Sequence, residues 1–264
     1  MSIKNLVARQ KDLFSIIIFL AAFLAIWELF FNLEIWPKVS FPAPYQVLES
    51  FKNQIEDGSL PSNILVSLWR LFLGFLISIT IGISVGLLMV KFPIFGKTLN
   101  SFAVGLQSFP SIAWIPFAIL FIGINDSAIL FVVVMSSVFS VMISTYSGMR
   151  NISPLYLRAA KNMGAKGLNL VAYVMIPAAT PSIIVGLKQA WSFAWHALIG
   201  AEMLITTLVG LGHILSVGRE FLLMDQIIAT MIVIFTIGMI FDKLVFFKIE
   251  EKIRKKWGLS EQTM

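Results

Sequence analysis

Apolar runs of membrane-spanning length recur along the chain, separated by short polar stretches. A helix needs about 20 mostly apolar residues to cross the hydrocarbon core of a bilayer, and the runs at 13–33, 67–90, 99–123, 127–148, 178–208 and 226–247 all reach that length. The pattern predicts an all-α membrane protein with six transmembrane helices. The first run follows Lys4, Arg9 and Lys11, as in a signal peptide, but it is too long for an h-region and reads as a retained span. In the second, Gly82 and Gly86 form a GxxxG pair that lets helices approach closely. The third contains Gln107, Pro110 and Pro116, which predicts a kink or partial unwinding. Irregular backbone at membrane depth must be covered by protein or line a wet cavity, so this run is expected to face the core.

Two polar stretches carry structure of their own. Within 34–63, the segment Pro44 to Asp57 places Val47, Leu48, Phe51 and Ile55 on one face ahead of Gly58, which predicts a short surface helix. Between Arg150 and Pro181, Ser153 is a good N-cap, Pro154 suits the first helical position and Gly164 suits the C′ position. A helix over Pro154 to Met163 is expected, with Ala159 and Ala160 at its centre leaving room for another protein. A second amphipathic turn follows with Leu168, Val171, Ala172 and Met175, and Pro177 and Pro181 restart the chain into the next span. This stretch reads as a docking loop.

Composition and charge then fix the setting. The 264 residues are 58% hydrophobic and 13% charged, with mean hydropathy +0.89, as in an integral membrane protein. The net charge of +6 comes from cations at the ends of apolar runs, which explains it by topology rather than nucleic acid. Placing both termini in the cytoplasm puts Lys91, Lys97, Arg150, Arg158, Lys161 and Lys166 inside with them, and leaves Lys38, Lys52, Arg70 and Arg219 outside. The expected layout is a cytoplasmic N-terminus at 1–12, a membrane domain at 13–247 with a cytoplasmic loop at 149–177, and a basic tail at 248–264. In that tail Lys248, Lys252, Arg254, Lys255 and Lys256 precede Trp257, an interfacial anchor.

Candidate chemistry is sparse. There is no cysteine, and only His196 and His213 could serve as histidine ligands, so no metal centre is expected. Gly96, Lys97 and Thr98 look like the tail of a phosphate-binding loop, but Lys91 stands where that motif needs glycine. The fifth run is the most polar, with Lys188, Trp191, Trp195, His196 and Glu202. Ionisable groups there mark buried pairs or wet paths. His196 and Glu202 invite a proton relay and hence a proton-coupled secondary transporter. Six residues amount to about 600° around a helix, which puts the two on different faces and favours pairing across helices. Lys188 could snorkel or attract an anion, and Trp191 and Trp195 could wall a cavity or pack. No convergent nucleophile, base or metal set suggests an enzyme.

Arg158, Ala159, Ala160, three residues, Gly164, nine residues, then Val174, Met175, Ile176 and Pro177 resemble the "EAA" loop of binding-protein-dependent ABC importer permeases. That pattern is EAA, three residues, Gly, nine residues, Ile, any residue, Leu, Pro. Spacing is kept, while Arg158 replaces Glu, Val174 replaces Ile and Ile176 replaces Leu. Phe41 to Val47, Ser67 to Gly74, Pro110 to Pro116, Gly186 to Lys188, Ala201 to Met203, Gly210 to Gly212 and Asp242 to Leu244 also resemble family segments. Together they resemble the branch that handles nitrate, sulfonates, taurine, bicarbonate and, in some members, thiamine precursors.

The resemblance implies a type I ABC importer permease fold in the inner or plasma membrane. It implies a homodimer with the solute path at its interface, a pair of cytoplasmic ATPases that bind ATP and Mg, and an external substrate-binding protein. It assigns Ser153, Pro154, Arg158, Ala159, Ala160, Gly164, Ala165, Ile176 and Pro177 to ATPase coupling. Pro110, Trp114, Lys188, Trp191, Trp195, His196 and Glu202 are the candidate residues for the solute path. The chain has no complete Walker A motif, so by this resemblance ATP hydrolysis and its cofactors belong to the partner.

Overall fold

The computed structural model describes residues 3–205 and 209–256, with side chains from residue 14 onward apart from 254 and 256. Trp257 and the last residues expected for the fifth span therefore lie outside the described residues. Helices make up the fold: α1 (Ile3–Asn32), α2 (Pro44–Glu56), α3 (Ser59–Lys91), α4 (Pro93–Gln107), α5 (Trp114–Ile122) and α6 (Asp126–Arg150) come first. They are followed by α7 (Pro154–Asn162), α8 (Gly167–Leu170), α9 (Ile176–Leu204), α10 (Leu211–Glu220), α11 (Met224–Phe241) and α12 (Phe247–Lys256).

Five described stretches are long and apolar enough to cross a membrane, and the bent pair α4–α5 makes a sixth. The kink expected of the third run is a 97° bend. It falls at Ser108–Pro110, where a 3-10 turn over Ser111–Ala113 restarts the helix, because prolines remove the amide hydrogens a continuous helix needs. Other boundaries differ from expectation. The second span begins at Ser59, eight residues before the apolar run at 67, since polar residues extend the helix past the hydrocarbon. The fifth does not restart at the prolines: α8 passes through a π-turn at Val171–Met175 into α9. That wider turn leads into Pro177 near the start of α9, and Pro181 lies inside it. The last span continues through a second π-turn, Asp242–Phe246, into α12, so the described part of the basic tail is helical. Helix α10 was not expected at all.

The chain divides into two compact units, 1–61 with 214–233 and 62–213 with 234–264. In the first, the connector after α1 folds back on it: Trp27 Nε1 donates to the Pro42 carbonyl at 3.0 Å, and the Trp36 and Phe41 rings sit 5.4 Å apart. Helix α2 buries Val47, Ser50 and Gln54, while Leu48 and Ile55, expected on one apolar face with Val47, are exposed. The Asp57 carboxylate accepts from the Ser59 N–H at 2.8 Å, at the start of α3. The Ser59 hydroxyl, and secondarily that backbone bond, hold the carboxyl below its usual range. The interaction is present at neutral pH and is lost as acid protonates Asp57 through that lowered value.

The second unit is built on α6, which packs against α9, α4 and α5. Its buried positions include Ile129, Val132, Val133, Val141, Tyr146 and Met149. The Gly82/Gly86 pair brings α3 onto the same helix: a Cβ at Gly82 would lie 2.7 Å from Val141 and one at Gly86 2.7 Å from Thr145. The serines follow the same logic of close approach. Ser78 and Ser137 Oγ atoms lie 2.7 Å apart between α3 and α6, and Ser140 Oγ donates to the Gly186 carbonyl of α9 at 3.1 Å.

Candidate functional site

The polar loop between α6 and α9 is built from its caps. Helix α7 starts at Pro154, as predicted, although the Ser153 side chain accepts no capping hydrogen bond. The backbone carbonyl of Ser153 takes the Tyr156 N–H at 3.0 Å instead. At the other end Met163 is the C-cap and Gly164 follows with φ +90°. The Ala165 N–H donates to the Ala160 carbonyl and the Gly164 N–H to the Lys161 carbonyl, both at 3.0 Å. This pair of bonds is a Schellman motif, which satisfies the last carbonyls and turns the chain sharply. Ala160 packs inward while Ala159 is exposed, so the open patch is Leu155, Tyr156, Ala159 and Met163 rather than an alanine pair. Below it, α7 packs on the 171–175 turn. Met175 and Ile176 anchor that turn against Met149, Ala179 and Ile183. The exposed face of α7 thus stands on a partly buried base.

The other end of α6 and α9 carries a buried ionic cluster, of which sequence reasoning assigned only Glu202 to the site. Glu202 is fully buried. Its carboxylate accepts from Arg70 Nη1 at 2.9 Å, from the Ser67 hydroxyl at 2.8–2.9 Å and from the Gly212 N–H at 3.0 Å. Arg70 Nη1 also donates to the Val209 carbonyl at 2.7 Å, and Nη2 pairs with Asp126 at 2.7 Å. Ser67 Oγ accepts the Leu211 N–H at 2.9 Å, and Asn63 Oδ1 accepts the Gly210 N–H. Gly210 has φ +145°, and a Cβ there would lie 2.6 Å from the Glu202 carboxyl. The cluster therefore ties α3, the start of α6, the end of α9 and the 209–212 turn together. The signals for it in the sequence were Glu202 itself and the Ser67–Arg70 spacing, i and i+3 on one helix face.

The remaining predicted path residues separate. Pro110 and Trp114 share a cavity of about 200 Å³ at the 97° bend with Gln107, Ser136 of α6 and Phe193 of α9. Trp191 is not in it: its ring stacks on Phe241 at 4.6 Å and meets Phe75 edge-on at 5.2 Å. Trp195 is buried beside Gly238. Lys188 pairs with Asp242 at 3.0 Å and Glu250 at 3.7 Å, so acids of the last span already neutralise its charge. His196 is exposed, whereas Glu202 is enclosed by Arg70 and Ser67.

Comparison with known proteins accords with this architecture. Residues 78–251, more than half of the chain, match the family described as binding-protein-dependent transport system inner membrane component. A putative ABC transporter permease protein of Methanocaldococcus jannaschii is 32% identical over 223 residues, covering 83% of each chain. A putative aliphatic sulfonates transport permease protein of Escherichia coli is 30% identical over 234 residues, covering 89% of this chain and 88% of its own. Among solved structures, a chain of the MetNI methionine ABC transporter in inward-facing conformations aligns with TM-score 0.60 at 17% identity, over 74% of this chain and 95% of that one, a likeness of fold. With its bent third span and the spaced loop between α6 and α9, the chain belongs to the binding-protein-dependent transport system inner membrane components, as a multi-pass ABC transporter permease of the plasma membrane.

Proposed function

We propose that this permease forms the transmembrane path of an ATP-driven importer for a small anion such as a sulfonate or nitrate. The single observation that supports coupling to a separate ATPase most directly is the α7 face. It is exposed, ends in a Schellman turn at Gly164, and is seated on a partly buried base at Met175 and Ile176. In this reading two permeases pair around the path, and each α7 sits in a groove of a cytoplasmic ATPase that supplies the ATP and Mg site. An external binding protein delivers the solute. A ligand shifts a conformational equilibrium only through unequal affinity for its states. ATP therefore favours the closed ATPase pair, and the rigid loop passes that closure to α6 and α9. The sulfonate class rests on the Escherichia coli relative named above.

The test is uptake of a labelled alkanesulfonate by proteoliposomes carrying permease, ATPase and binding protein. ATP-dependent uptake that vanadate abolishes and an uncoupler leaves intact supports the proposal. Uptake that follows a proton gradient without ATP would sink it and favour a proton-coupled secondary transporter using His196 and Glu202.

A further inference from the structure

The docking face has an unusual charge. No Asp or Glu occurs anywhere between Asp126 and Glu202, so the whole 149–177 loop carries cations only: Arg150, Arg158, Lys161 and Lys166. Arg150 is held by the Tyr146 hydroxyl at 3.0 Å. Arg158, Lys161 and Lys166 are exposed and have no carboxylate partner among the described residues. Beside them lie large apolar side chains open to solvent: Leu155 is 75% exposed, Met163 88% and Leu168 86%. At about 100° per residue, Leu155, Ala159, Met163 and Tyr156 form one arc of α7; Arg158 stands about 60° beyond its Leu155 edge, and Lys161 about 120° beyond it on the flank away from the arc. Lys166 follows just past the Gly164 turn, next to Leu168.

We propose that the loop selects an ATPase whose groove has an apolar floor and an acidic rim, with Arg158 as the specificity-determining contact. This rests on the docking reading above and adds the chemistry of the partner. The apolar arc supplies affinity by leaving water. Arg158 beside the arc, with Lys161 and Lys166 farther out, supplies discrimination, because a basic or neutral rim would place unpaired charges against it. Arg158 stands at the head of the Ala159–Ala160–Gly164 spacing, so its charge meets the rim wherever the arc seats.

The experiment measures the amount of ATPase retained on the purified full-length permease in detergent as salt is raised. Wild-type association is expected to weaken steeply with salt, since exposed charge pairs are screened. Arg158→Glu/Lys161→Glu/Lys166→Glu is expected to reduce it about tenfold or more at low salt, and the glutamine triple variant is expected to fall between. Met163→Asp serves as the control for the docking reading itself. If Met163→Asp releases the ATPase while the triple reversal and salt change retention less than twofold, the acidic rim is wrong and docking stands. If none of these variants changes retention, both readings fail. If the triple reversal removes only binding to anionic vesicles and leaves the ATPase bound, the cations serve the membrane surface and the proposal is overturned.

Discussion

At the scale of single residues, the Arg70–Glu202 pair sets the strongest constraint. Two buried charges are tolerable when each meets its partner and most remaining hydrogen-bonding sites are filled: Glu202 is met by Arg70, Ser67 and the Gly212 N–H, while the buried Arg70 Nε has no partner among the described residues. Arg70→Met is therefore expected to cost about 3–5 kcal/mol, because it strands a buried carboxylate. Adding Glu202→Met should recover part of that loss. Thermal unfolding of the detergent-solubilised single and double variants checks this, and a double variant less stable than Arg70→Met would argue against the pair. None of this was legible from sequence beyond the expectation that Glu202 pairs across helices. Its partner lies 132 residues away, and only the packing of α3, α6 and α9 brings them together. Lys188 taught the same lesson in reverse: an attractive charge for an anion path proved to be paired with Asp242 and Glu250.

At the scale of elements, what local chemistry determines was readable in advance. Pro154, Gly164 and the apolar spacing between them placed α7 to within a residue, because caps and turns depend on nearby backbone groups. Span ends were not readable, because Ser59 to Asn63 and the described part of the basic tail continue helices beyond the hydrocarbon, where composition turns polar before the hydrogen bonds stop. The π-turn at Val171–Met175 was equally hidden, since it lets α8 run into α9 across Pro177. Two predictions belong here. The space around Gly164 is open, so a substitution acts through its left-handed backbone. Gly164→Val should cost about 1–2 kcal/mol of loop order and lower ATPase retention, whereas Gly164→Asn, which tolerates that conformation, should retain more. Equal retention by the two would contradict a backbone role. On α3, Gly82→Val would overlap Val141 and should destabilise by about 1–3 kcal/mol, seen as a lower unfolding temperature.

At the scale of the whole molecule, α6 and α9 join two ends with different chemistry. The 25 residues of α6 span about 37 Å, from the Asp126–Arg70 pair to the α7 loop. Between them the two helices are locked by small-residue contacts and by the Ser140 bond to Gly186. In the proposed mechanism, motion imposed at α7 reaches the far end because this pair is rigid, and the ionic cluster sets how the 209–212 turn follows. The most direct test is ATP-driven sulfonate uptake by the reconstituted transporter carrying Gly164→Val, with the amount of inserted permease matched to wild type. Loss of uptake together with loss of bound ATPase is the expected result, and uptake at the wild-type rate would contradict coupling through this loop.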